Sequence, residues 1–246
     1  MTADTAPAFE RGAWSGWRVI LVFVLAQLAF VAAGAITAIV GRYPAVAHGV
    51  AIHGFIGLTP TTLFASVLAR TVAVLAVIFG ARRWLSRSAS PESFGFVQPS
   101  ARLIFQGILA GIVLLIISGF VTAVQTKLLG SHPNVWSTIL ASHHGPAAFL
   151  LDVSQGAVIT PFAEELMFRG FVFAALVQRT PVWVAVILSA ALFAAWHFEL
   201  VSFAVHFVTG AGLALLYYRT RNLWSTIAAH GTINGIVFSI LFMLHP

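Results

Sequence analysis

The chain of 246 residues contains no cysteine at all, and only 8% of it is charged. The first absence excludes disulfide frameworks, thiolate metal sites and a cysteine nucleophile, and it leaves the redox compartment unreadable. The second lies far below the roughly 25% of a typical soluble domain. Acidic residues are the scarcest class, seven in all, with two of the seven adjacent in "TPFAEELMFRG". The only aspartates are Asp4, in the polar start of the chain, and Asp152. An aspartyl dyad inside a membrane therefore has no second member. No "HExxH" zinc-protease helix and no serine in a "GxSG" setting occurs.

Hydrophobic residues make up 59% of the chain, and mean hydropathy is +0.95. The composition is that of an integral membrane protein. A formal net charge of +6 could suggest nucleic acid, but the basic residues lie at the ends of apolar runs, where they act as topology determinants. No nucleic-acid partner is expected; the lipid bilayer is.

A helix needs about 20 apolar residues to cross the hydrocarbon core. That template gives spans near Trp17–Val40, Thr61–Gly80, Leu103–Gln125, Ala147–Val177, Val182–His197, Leu200–Tyr218 and Leu223–Leu244. The expected fold is all-α, a polytopic membrane bundle of about seven helices forming one domain over residues 1–246. Tyr43–Pro60, mildly apolar and rich in glycine, leaves room for an eighth membrane element. The first run is longer than the ~7 to 15 residues of a signal-peptide core, so it reads as an uncleaved first span. The fourth exceeds one crossing and carries Pro161, which predicts a separate interfacial helix followed by a kinked crossing.

With the N-terminus inside, Arg11, Arg18, Arg82, Arg83, Arg87, Arg102, Arg179, Arg219 and Arg221 fall on the cytoplasmic side, and only Arg42 and Lys127 fall outside. Trp14, Trp17, Trp84, Trp183 and Trp224 mark helix ends, as an interfacial belt should. Twelve arginines against one lysine, with abundant alanine, point to a GC-rich bacterial genome and so to a bacterial cell membrane.

An ionisable side chain within a span costs roughly 2.5 to 3.5 kcal/mol on insertion scales and defaults to a functional reading. Glu164, Glu165, Arg169, His197, Glu199, His206, His230 and Asn234 stand out. Glu165 and Arg169 are an i, i+4 pair that can neutralise each other, while Glu164 is turned about 100° away and left over. His230 and Asn234 share a face of the last helix, and Phe193 and His197 share a face of an earlier one. At 1.5 Å per residue, Glu164 lies about 22 Å in from Arg179, His197 about 24 Å in from Pro181, and His230 and Asn234 about 13 and 20 Å in from Arg221. All four reach a common layer. The bland readings are a structural ion pair for Glu165 with Arg169, and interhelical hydrogen bonding for His206 and Glu199. His48, His53, His132, His143, His144 and His245 fall in loops or at the terminus and are expected to be solvated.

A carboxylate, two imidazoles and an amide suit water activation in two ways. In one, Glu164 is general base, His197 shares the water, and His230 and Asn234 donate to the oxyanion. In the other, Glu164, His197 and His230 hold a divalent metal such as zinc.

"EELMFR" (Glu164, Glu165, Arg169), "FAAWH" (Phe193, His197) and "HGTIN" (His230, Asn234) resemble the EExxxR, FxxxH and HxxxN motifs of the CAAX-protease and bacteriocin-processing family of intramembrane endopeptidases. The resemblance covers residues 147–244, the expected catalytic core. It implies that Glu164 is the catalytic carboxylate, supported by Glu165 and Arg169, that His197 acts with it on water, and that His230 and Asn234 stabilise the oxyanion or help hold a metal. It also implies a membrane-associated peptide or protein substrate, cut near the cytoplasmic half of the bilayer. A non-catalytic immunity-like or scaffold protein, which would survive Glu164→Ala, is the second reading. An ion-coupled transporter is the third, disfavoured by the absence of repeated halves.

Overall fold

The structure is a computed structural model describing residues 16–47, 58–85, 91–130 and 135–244. The additional membrane element expected over Tyr43–Pro60 falls for the most part outside the described residues, as do Asp4, Arg11, Trp14, His48, His53, Arg87, His132 and His245.

Every long element is a helix: α1 (Gly16–Ala47), α2 (Pro60–Leu85), α3 (Ala101–Leu129), the short α4 (Val135–Leu140), a bent helix over residues 146–176, α8 (Val182–Trp196), α9 (Phe203–Thr220) and α10 (Leu223–Met243). The bent helix comprises α5 (Pro146–Ser154), α6 (Thr160–Glu165) and α7 (Ala174–Leu176), joined by two π-helical stretches, Gln155–Ile159 and Leu166–Phe173. The chain is thus a polytopic helical membrane protein. Among the described residues four helices are long and apolar enough to cross a bilayer by themselves, within α1, α2, α3 and α10, and Val182–Trp196 is a shorter apolar helix. α3 turns Ile116, Phe120 and Leu128 outward, 68%, 70% and 75% exposed, as a helix in hydrocarbon does.

α1 packs on α2, α3 on α10 and α8 on α9. The α3–α10 contact is made by small residues. A β-carbon at Gly107 would collide with the Ser225 carbonyl oxygen, and one at Gly111 with the Ala229 carbonyl oxygen, so these backbones meet without side chains between them. Termini are locally specified. Ser100 accepts a hydrogen bond from the Leu103 N–H at 3.2 Å and opens α3, and Asn222 accepts from the Trp224 N–H at 2.9 Å and opens α10. At one end of the bundle, Trp17 and Trp84 meet edge to face at 5.3 Å with the Arg18 guanidinium over both rings.

The fourth run differs from expectation. Its start is not a separate helix: residues 146–176 run as one helical stretch with no break at Pro161. It stays in right-handed helical conformation, and the strain is taken up by π turns. The Thr160 N–H reaches back five residues to the Gln155 carbonyl. Pro161 has no N–H to give to the next carbonyl in that pattern, Gly156, which is left free for a neighbour. Single π turns of this kind concentrate at functional sites.

Candidate active site

The bent helix, α8, α9 and α10 bring the expected polar residues together. Glu165 and Arg169 are both fully buried, and the Arg169 Nη1 donates to the Glu165 Oε1 at 2.9 Å. The same oxygen accepts from the His230 Nδ1 at 2.8 Å. A carboxylate only accepts, so His230 carries its proton on Nδ1 and turns Nε2 to the other side. On that side lies Glu164, whose Oε2 is 3.9 Å from Nε2, too far for a hydrogen bond. Glu164 is 9% exposed, and its Oε2 has no hydrogen-bond partner. Glu165 likewise has an unpartnered Oε2, so the two adjacent glutamates differ in that Glu165 is tied through Oε1 to Arg169 and His230.

Arg169 is held further by the Gly210 carbonyl, to which Nη2 donates at 3.1 Å, and by the Phe193 ring, 4.5 Å below its guanidinium carbon. Phe193 is the hub of the cluster. Its ring lies edge-on to His197 at 4.8 Å and to His230 at 5.9 Å. The His197 Nδ1 donates to the Phe193 carbonyl at 2.8 Å, which leaves Nε2 as the free acceptor. α8 ends there, because Phe198 takes the left-handed conformation, φ 52°, and the chain turns toward α9. Asn234 donates through Nδ2 to the Gly156 carbonyl at 3.0 Å, the oxygen that Pro161 leaves unpaired. Close approach of α10 to this stretch needs Gly231, where a β-carbon would strike the Ala157 carbonyl oxygen.

These groups line a cavity of about 450 Å³, with Glu164, Phe193, His197, His230 and Asn234 in its wall. It runs past Ser118, Thr122 and Thr126 of α3 to Trp136 and, on α10, Leu241. Glu165 and Arg169 stand behind the wall.

Three placements depart from the sequence reading. His206, weighed there as an interhelical bonding residue, lines the cavity and stacks on His197 with ring centroids 3.8 Å apart; its Nδ1 donates to the Ser202 carbonyl at 2.9 Å, the same pattern as in His197. Its nine-residue distance from His197 falls outside every motif, so only its ionisable character within a span marked it. Glu199 instead accepts from the Ser202 hydroxyl at 2.8 Å. His143 is not solvated but 2% exposed, tied through Nδ1 to Asp152 and through Nε2 to the Leu58 carbonyl, each at 2.9 Å, so Asp152 is not alone either. The metal alternative for Glu164, His197 and His230 finds no support in the donor geometry. Among the described residues no group of three or more His, Cys, Asp or Glu side chains is arranged to hold a metal ion. The committed Nδ1 atoms of His230 and His197 do not count against the metal alternative, because each leaves its Nε2 free.

Fold and site together define a helical membrane protein with an uncommitted carboxylate, histidines and an amide around a buried cavity. The family model described as "Type II CAAX prenyl endopeptidase Rce1-like" matches residues 146–236. Over 105 residues the chain is 30% identical to the "Putative membrane peptidase YdiL" of Bacillus subtilis (strain 168). That match covers 39% of this chain and 42% of the relative, so the chain spans about two fifths of the relative's length. No solved structure matches. The segment 146–236, which holds Glu164 through Asn234, is thus similar to the Rce1-like CAAX prenyl endopeptidases and, in part, to a membrane peptidase.

Proposed function

We propose that the protein is an intramembrane endopeptidase that hydrolyses a peptide bond in a membrane-associated protein or peptide, with Glu164 activating the water. The observation that carries this reading is the contrast between the two glutamates. Glu165 has Arg169 and His230 as partners, whereas Glu164 offers an unpaired oxygen to the cavity 3.9 Å from the His230 Nε2. A buried carboxylate left without a partner costs stability, and a role in proton transfer accounts for keeping it there.

In this mechanism a water lies against Glu164 and the free Nε2 of His197. Glu164 takes one proton as the water oxygen attacks the scissile carbonyl carbon. The electron pair moves onto the carbonyl oxygen. Asn234 has one amide hydrogen on Gly156 and offers the second to that oxyanion, whereas His230, with its proton on Nδ1, has none to give it. The proton held by Glu164 then passes to the departing amide nitrogen. The C–N bond breaks, the oxyanion's electron pair re-forms the carbonyl, and a carboxylic acid and an amine leave. His206, stacked on His197, fixes the plane of that ring. Glu165 and Arg169 act through His230 and Phe193 rather than on substrate.

The test is cleavage of a membrane-anchored reporter by purified protein in liposomes, followed by mass spectrometry of the products. Glu164→Ala and His197→Ala are expected to lower kcat by at least about 100-fold, the scale of a lost general base. Undiminished cleavage in Glu164→Ala would sink the assignment, and a cellular role that survives Glu164→Ala would indicate a non-catalytic scaffold. Running the assay with and without chelator decides the metal question separately.

A further inference from the structure

Away from Glu164, the cavity wall contains a second buried acceptor that the mechanism does not use. Gln155 is 1% exposed, lies in the cavity wall, and opens the first π turn of the bent helix. Its Nε2 donates to the Asp152 Oδ1 at 2.8 Å, and its Oε1 has no hydrogen-bond partner. An amide can be turned end for end, but not here. Asp152 only accepts, so the NH2 group must face it and the oxygen must face away.

Asp152 is itself pinned. Its other oxygen accepts from the His143 Nδ1, and the His143 Nε2 donates to the Leu58 carbonyl. A backbone carbonyl cannot donate, so the His143 Nε2 carries a proton, and facing a carboxylate acceptor its Nδ1 donates as well. The chain of bonds from Leu58 through His143 and Asp152 ends on one oriented amide oxygen. A buried acceptor without a donor costs about 1 to 3 kcal/mol and calls for an explanation.

We infer that Gln155 is a substrate-positioning residue whose oriented Oε1 accepts a hydrogen bond from a backbone N–H of an extended peptide substrate in the cavity. The inference rests on the endopeptidase reading. Extended peptide has one N–H per residue and no internal partner for it, so an acceptor in the wall fixes its register relative to Glu164. With the Asn234 amide, held on the neighbouring Gly156 carbonyl, as donor, the wall then holds one acceptor and one donor for a single strand.

The experiment uses the full chain in liposomes and a peptide series N-methylated one amide at a time around the mapped cut site. In the wild type, one methylation is expected to raise KM about 3- to 10-fold, the effect of one neutral hydrogen bond. In Gln155→Leu, KM of the unmethylated peptide should already be raised by that factor, kcat should stay within about twofold, and the same methylation should add nothing. Asp152→Asn lets the Gln155 amide turn and should shrink the methylation effect. It carries the test if Gln155→Leu does not fold. A methylation pattern identical in wild type and both variants would overturn the role of Gln155 and leave its oxygen to an enclosed water. If the wild type cleaves none of the peptides, the endopeptidase reading itself fails.

Discussion

Glu164 and Glu165 are neighbours in sequence and differ in what surrounds them, which makes them separable by measurement. Glu165→Gln leaves the Arg169 guanidinium buried opposite a neutral amide. Breaking a buried pair in this way costs about 3 to 5 kcal/mol. It also weakens the hydrogen bond that orients His230, since an amide oxygen accepts without the carboxylate's charge. The melting temperature and the cleavage rate should therefore fall together. Glu164→Gln removes an unpaired buried oxygen and should leave the melting temperature unchanged or raised while cleavage is lost. Thermal unfolding in detergent beside the reporter assay reads both, and a melting loss as large for Glu164→Gln as for Glu165→Gln would refute the distinction. At this scale much was legible. The EExxxR spacing pairs Glu165 with Arg169 and leaves Glu164 over. The sequence did not show that Glu165 also holds His230, because that bond spans 65 residues and depends on how α10 is rotated against the bent helix.

At the scale of elements, α10 carries both His230 and Asn234, and its position is set by bare backbone contact with α3. Gly111→Leu would drive a side chain into the Ala229 carbonyl, next to His230. Overpacking of this kind costs about 1 to 3 kcal/mol. Because the displaced helix carries site residues, cleavage should fall further than the melting shift suggests, whereas at Gly80 of α2, where nothing lies within 4 Å, the same change should be tolerated. Comparing the two leucine variants in one assay checks this.

The start of α2 and the approach to α5 are joined by His143. Burial pulls its pKa down, but the hydrogen bonds to Asp152 and to the Leu58 carbonyl, with the Asp152 charge, outweigh that and raise it above its ordinary 6.5. A raised histidine stabilises the folded state fully below pH 6.5, and that contribution fades as pH rises through the folded value. Thermal stability should decline over that window in the wild type and stay flat in His143→Gln. A parallel decline in both would refute it. None of this was visible in sequence, where His143 sits among polar loop residues and its partners lie 9 and 85 positions away.

At the scale of the whole molecule, the cavity extends toward the end of the bundle where α3 and α10 terminate, past Thr126, Gly130 and Leu241. The arginine bias, with Arg82, Arg102 and Arg221 at the opposite end, predicts that this is the non-cytoplasmic side. The two observations together set the substrate's approach against the cytoplasmic-half cleavage expected from the family resemblance. A chain without cysteine makes the question simple to test. With Gln98→Cys and Ser142→Cys introduced singly, a membrane-impermeant maleimide should label Ser142→Cys in intact cells and reach Gln98→Cys only after permeabilisation. The reverse result would invert the orientation and put the Thr126–Leu241 end of the cavity on the cytoplasmic side.

The sequence alone determined the helical membrane architecture, most helix boundaries and the set of polar residues that share one depth. Hydropathy, helical rise and i, i+4 spacing are local quantities, and each is printed in a run of 4 to about 25 residues. The tertiary structure alone decided that the fourth run continues across Pro161 as one helical stretch containing two π-helical segments. It also decided that the Gly156 carbonyl freed there is taken by Asn234, that His206 stacks on His197, and that His143, Asp152 and Gln155 form a buried chain. Those outcomes depend on which helix faces touch and on which carbonyls are left without a local partner. Such contacts join residues up to 85 positions apart, beyond the reach of any spacing rule.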